Sequence, residues 1–211
     1  MNFSEFVKLF KNTSIIESSA FEHYGKPNDL RRQVLRWVSK KYMYPLKKGV
    51  YLLDEEYRKI KPSFLFVANQ LLSPSYISLE YALGFYGLIP EKVTVITSIT
   101  TKKTQNYKNI LGKFEYKSIN KKLFFGMAQN TENEQKYFIA EPEKAVLDFF
   151  YFAYNAKPDF AYFESMRFQN IDKLNKSRLL LYSKKYNKRV QKIAGVLLQF
   201  AEDSKKKFKD L

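Results

Sequence analysis

The chain has 211 residues, 45% of them hydrophobic and 17% aromatic, with 37 Lys+Arg against 21 Asp+Glu and a formal net charge of +16. That apolar content suffices for a packed core and argues against wholesale disorder, while the charge favours a polyanionic partner. The absence of Cys excludes disulfides and thiolate metal sites and fits a reducing cytoplasm.

Residues 4–10 predict a short amphipathic helix, with Phe6, Val7, Leu9 and Phe10 apolar. The opening MNFSEFVKLFKN carries Glu5 and no continuous apolar stretch, so it does not read as a secretion signal. Residues 14–24 predict a second helix with Gly25 as its left-handed terminator, and Pro27 bars continuation. A basic helix follows, capped by Asn28 or Asp29. Leu30, Val34, Trp37 and Val38 share one of its faces, and Arg32, Arg36, Ser39 and Lys40 fall on the opposite one. Strand-like residues 42–44 and 50–53 then flank Pro45-Leu46-Lys47-Lys48-Gly49, a hairpin signal with a glycine in its loop. A basic helix followed by a lysine-bearing hairpin is the order of a winged helix-turn-helix. Asp54-Glu55-Glu56 begins a linker, which divides the chain into an N-terminal domain of residues 1–58 and a second domain of residues 59–211.

In the second domain, Phe64, Val67, Ala68, Leu71 and Leu72 follow helical spacing, with Pro62 in the first turn and Ser73-Pro74-Ser75 as the stop. Ser78 is a cap for the next helix, which closes at Gly87. Residues 93–100, 113–119, 122–127 and 136–140 predict strands. Pro142 at a first turn, with Glu143 beside it, starts a helix that is apolar nearly all round except for Asp148. From Asp159 onward the chain reads as helices with outward lysines. The expected class is α+β, a winged helix-turn-helix followed by a mixed α/β domain. No apolar run approaches the roughly 20 residues of a membrane span, so no membrane partner is expected.

Charge is concentrated in three places. Residues 26–48 hold eight basic residues and one acid, residues 92–122 eight and one, and residues 173–211 twelve and three. The C-terminal KKKFK reads as a solvated face. In the first stretch a fold signal coincides with the charge. The first turns of a recognition helix reach base edges while flanks and wing hold phosphates. Asn28, Arg31 and Arg32 are therefore the expected base-edge contacts, with arginine suited to guanine through its planar fork. Arg36, Lys40, Lys41, Lys47 and Lys48 are the expected phosphate contacts. Lys102 and Lys103, after a strand, are candidate second-domain contacts to nucleic acid or to a protein partner.

Enzyme chemistry is poorly supplied. His23 is the sole histidine, and neither a Walker-type phosphate loop nor a dinucleotide fingerprint occurs. No cofactor, metal or catalytic residue is expected. Ser78, Glu80 and the Glu143-Lys144 pair read as capping and helix-end electrostatics, and Asp148 as a scaffold residue needing a partner if buried.

PSYISLEYALGFYGLIPE (residues 74–91), VTVITSITTKK (93–103), LFFGM (123–127) and FIAEPEKAVLDFFYF (138–152) occur in this order, after a KKGVY that closes the winged segment. In this the sequence resembles the AbiEi-type antitoxins of abortive-infection, type IV toxin–antitoxin systems, over residues 4–154. Glu141 departs from the pattern, since Thr or Ser often caps there in the family. The resemblance implies an N-terminal winged helix that binds inverted repeats in its own operator and represses the operon. It further implies a second domain that counteracts a co-encoded nucleotidyltransferase-like toxin, without a stable complex being required, and that supports cooperative self-association on DNA. Two other readings stand beside it. One is a stand-alone winged-helix regulator. The other is an RNA-binding protein that protects the toxin's target through the 92–122 patch and exposed aromatics.

Overall fold

The computed structural model describes residues 1–157 and 159–209, with side chains of the last helix described to residue 203. The KKKFK run therefore lies outside the described side chains. The protein is a mixed α and β structure with two sheets among the described residues.

Helix α1 spans Phe3–Phe10, one residue earlier than the sequence predicts, because Asn2 and Glu5 form a reciprocal capping box. The expected helix over 14–24 is replaced by a short strand β1, Ile16–Glu17, and a 3₁₀ helix, Ser18–Tyr24. Ile16 is buried and pairs with Tyr51, so a β-branched residue takes the strand backbone that suits it. Gly25 is extended, with φ of 167°, and is not a left-handed terminator. Helix α2 spans Pro27–Ser39 with Pro27 at its first position. Lys26 is the cap residue and makes no side-chain cap bond, so Asn28 and Asp29 lie inside the first turn and neither caps. Asp29 there still favours the positive helix end. At the other end Lys41 takes a left-handed φ of 59°, and the amides of Lys41 and Tyr42 donate to Val38 and Trp37 carbonyls, a Schellman closure.

Strands β2 (Met43–Lys47) and β3 (Val50–Leu53) are joined by Lys48 and Gly49 alone, a tighter turn than the five-residue loop the sequence implies. Gly49 has φ of +76°, the conformation such a turn demands. Pro45 is inside β2, which is tolerable because β2 is an edge of the β1-β3-β2 sheet. Met43 and Leu53 join Phe6, Phe10, Phe21, Val34 and Trp37 in one cluster, whereas Leu46, Val50 and Leu52 belong to the larger core beyond. The hairpin thus serves two cores.

Helix α3 (Phe64–Leu71) is capped by Ser63, whose hydroxyl accepts from the Phe66 amide; Pro62 lies before the cap and not in the first turn. The expected stop at 73–75 runs straight into strand β4, Ser75–Ile77. Helix α4 (Leu79–Phe85) and strands β5 (Ile96–Thr100), β6 (Gln105–Asn109) and β7 (Gly112–Ser118) follow. Residues 122–127 are not a strand. They form the end of a 3₁₀ helix, Lys121–Leu123, and a loop in which Phe124 packs on Tyr76 and Phe125 on Tyr182. The strand β8 begins only at Met127 and runs to Glu132, followed by β9, Gln135–Ala140. The second sheet has the order β6-β7-β5-β4-β9-β8, with β5·β7 and β4·β9 parallel and the other neighbours antiparallel.

Helix α5 (Pro142–Phe152) starts on its proline as expected and is buried from Glu143 to Phe150. Helices α6 (Phe160–Ser165), α7 (Lys176–Ser183) and α8 (Lys188–Lys209) enclose it. Arg189 of α8 donates to the carbonyls of Phe150, Tyr151 and Ala153, satisfying acceptors that the end of α5 leaves open. No described helix is long and apolar enough to cross a membrane.

Candidate nucleic-acid interface

Burial of Leu30, Val34 and Trp37 fixes the roll of α2 and turns Asn28, Arg32, Arg36 and Ser39 to solvent. Arg31, Lys40, Lys41 and Lys48 are exposed as well. None of these basic residues takes part in the ion pairs found among the described residues. Lys40 lies over the Tyr42 ring at 5.7 Å, which holds it beside the C-terminal end of the helix. Arg31 differs from Arg32. It lines a groove of about 510 Å³ between α2 and the hairpin, together with Leu30, Leu35, Lys48 and Tyr51. The outer stripe therefore carries Arg32 and Arg36, and the flank facing the hairpin carries Arg31, across the groove from Lys48 of the hairpin turn.

Lys47 does not join them. Its ammonium donates to the Leu71 carbonyl at 2.7 Å, at the end of α3, and burial lowers its pKa. The register shift between Pro45 and Lys47 alters the alternation of side chains along β2. Lys47 is thus a structural tether and not the solvent-facing phosphate contact expected from the sequence. Asn109 adds a second tie by donating to the Leu46 carbonyl at 3.1 Å.

Lys102 and Lys103 are exposed in the turn after β5, where the Lys102 amide donates to the Thr100 hydroxyl. Lys102 is close enough to Lys47 for its charge to contribute to that lysine's lowered pKa. Sequence reasoning missed Leu35, which is 60% exposed on α2 amid the arginines. Its signal was available: a leucine that falls off the apolar face of the wheel.

The chemistry-bearing residues of α5 meet elsewhere, in the core. Lys144 and Asp148, four residues apart, form a fully buried ion pair. Asp148 also accepts from Tyr76 at 2.9 Å, Ser78 at 2.8 Å and Tyr186 at 2.7 Å. Four donors fill the lone-pair positions of one carboxylate. Burial raises the pKa of Tyr76 and Tyr186, with the Asp148 carboxylate adding to the rise, and lowers that of Lys144, where Asp148 pulls the other way. Ser78 spends its hydroxyl here and makes no side-chain cap bond to α4, contrary to the capping role read from the sequence. Glu143, also read as a helix-end charge, is buried, accepts from the Asn175 amide and pairs with Arg178. Sealed from solvent, the Asp148 cluster is a scaffold that ties β4 to α5 and the segment after α7.

No family model matches the chain, and no curated protein matches it.

Proposed function

We propose that the protein is a winged-helix DNA-binding antitoxin of the AbiEi type. In this reading it represses its own toxin–antitoxin operon by binding operator inverted repeats and counteracts a co-encoded nucleotidyltransferase-like toxin. The observation that carries the DNA-binding part is the order α1, β1, 3₁₀ helix, α2, β2, β3, with a β1-β3-β2 sheet and unpaired arginines along the outer face of α2. That helix enters the major groove with Asn28 and Arg32 toward base edges, and Leu35 offers an apolar contact of the kind a thymine methyl takes. Arg31, Arg36, Lys40, Lys41 and Lys48 neutralise phosphates. The antitoxin part rests on the motif resemblance of residues 74–152.

The test is a footprint on the DNA upstream of the gene. Neutralising about five phosphates makes affinity fall roughly two and a half to three decades between 50 and 200 mM salt. Arg32→Ala/Arg36→Ala is expected to abolish the footprint with little change in thermal stability, since both side chains are exposed. An unaltered footprint from that variant rejects α2 as the reading helix. Co-expression with the adjacent gene tests the antitoxin part: growth rescued by the full chain supports it, and toxicity unchanged at full expression rejects it.

A further inference from the structure

Where β4 diverges from β9 the second sheet leaves a recess. The parallel pairing of these strands is brief, with Ile77 opposite Ile139, and the Phe138 amide is met by the Asn69 carbonyl oxygen at 2.5 Å. That bond fixes the side-chain amide of Asn69, because only its oxygen can accept. Its nitrogen, Nδ2, is left without a hydrogen-bond partner, and so is the hydroxyl of Ser75. Both residues are more than nine-tenths buried, and both line a cavity of about 220 Å³. Buried donors without a partner are costly, so two on one small cavity point to a ligand.

The rest of the lining says what kind. Phe124, Met127 and Phe138 supply apolar walls, and the Phe138 ring is 44% exposed. Lys136 shares the outward face of β9 with Phe138 and brings a cation to the rim. The cavity is smaller than the roughly 300–1,000 Å³ typical of drug-sized ligands, which suits a single ring system. A flat heterocycle with hydrogen-bonding groups on its edge and a phosphate attached matches all of these features. Aromatic stacking, edge hydrogen bonds and a cation on the phosphate are the means by which unpaired nucleotides are held.

We propose that this recess binds one unpaired nucleotide: Phe138 stacks on the base, Asn69 Nδ2 and Ser75 read its edge, and Lys136 meets the phosphate. The nucleotide is either free or part of a single strand; both present the same chemistry. The site is separate from the α2 surface, and duplex binding there neither requires it nor is required by it.

The experiment is calorimetric titration of the full chain with the four ribonucleoside monophosphates and with the matching homopolymer pentanucleotides. Saturable binding of one base, weakened about tenfold by Phe138→Ala and by Lys136→Ala and retained by Phe138→Tyr, is the expected result. Asn69→Asp keeps the acceptor for the Phe138 amide but removes the donor, and it is expected to change which base is preferred. Phe138 and Lys136 are exposed, so their variants carry the test even if Asn69→Asp fails to fold. Binding of monophosphates identifies a free ligand, and binding of pentanucleotides alone identifies a strand. No saturation by either set, or equal binding by Phe138→Ala, overturns the proposal. Operator binding by the same variants is expected to be unchanged, which keeps this outcome distinct from failure of the α2 reading.

Discussion

At the scale of single residues, Asp148 has the most at stake. Its carboxylate is fully buried and saturated by one ammonium and three hydroxyls. Lys144→Met leaves that charge without its counter-ion, and removing one partner of a buried pair typically costs about 3–5 kcal/mol. Replacing both members by apolar residues is often nearly neutral elsewhere. Here it is not expected to be, because Tyr76, Ser78 and Tyr186 would each lose their acceptor. Urea denaturation of Lys144→Met and of Lys144→Met/Asp148→Leu measures both costs. A double variant as stable as the parent would contradict the account of Asp148 as the acceptor on which these hydroxyls depend. The need of Asp148 for a partner was legible in the sequence from its position on an apolar helix. Its hydroxyl partners were not, since Tyr76 and Ser78 from one segment and Tyr186 from another all lie far from Asp148 in the chain.

Among the elements, the hairpin and α2 separate charges that the sequence groups together. Lys47 and Lys48 are neighbours, yet one tethers the hairpin to α3 while the other is exposed in the turn. Two different losses follow. Lys48→Ala is expected to reduce the slope of log affinity against log salt by about one, with stability unchanged. Lys47→Ala is expected to leave that slope alone and to destabilise the fold by roughly 1.5–3 kcal/mol, the worth of a hydrogen bond involving a charged group. Salt titrations of operator binding beside thermal melts distinguish the two, and equal slopes for both variants would refute the assignment. Periodicity made α2 legible because Leu30, Val34 and Trp37 are buried on one side, and that side dictates where Arg32 and Arg36 point. Strands β6 and β8 were invisible for the opposite reason. Both are edge strands of polar composition without a buried residue, so no apolar alternation marks them. The apolar run Leu123-Phe124-Phe125 misled in turn, because Phe124 and Phe125 each fill a separate ring contact instead of one face of a strand. The nucleotide recess draws on α3, β4, the loop before β8 and β9, a combination that no local pattern announces.

For the molecule as a whole, buried tyrosines set the response to alkali. Burial raises the pKa of Tyr76, Tyr116 and Tyr186 well above 10.0, and that of Tyr86 to about 12. As pH rises through about 10 the unfolded chain releases these protons while the folded chain keeps them. The folded state then binds more protons, so stability falls, by about 1.4 kcal/mol per pH unit for each tyrosine so held. Lys144 and Lys47 act the other way, their pKa values being lowered from 10.5 chiefly by burial. Their unfolded forms hold protons that the folded forms have shed, which makes stability rise with pH until the unfolded lysines titrate. Above 10.5 that opposition fades and the four tyrosines prevail. The urea midpoint is therefore expected to drop steeply between about pH 10 and pH 11.5, with a share of the 16 tyrosines ionising only as the chain unfolds. Tyrosinate absorbance followed alongside far-ultraviolet circular dichroism reads both events. Complete ionisation near pH 10 with the fold intact would show that these hydroxyls are not sequestered, and would take with it the sealed core that holds β4 against α5.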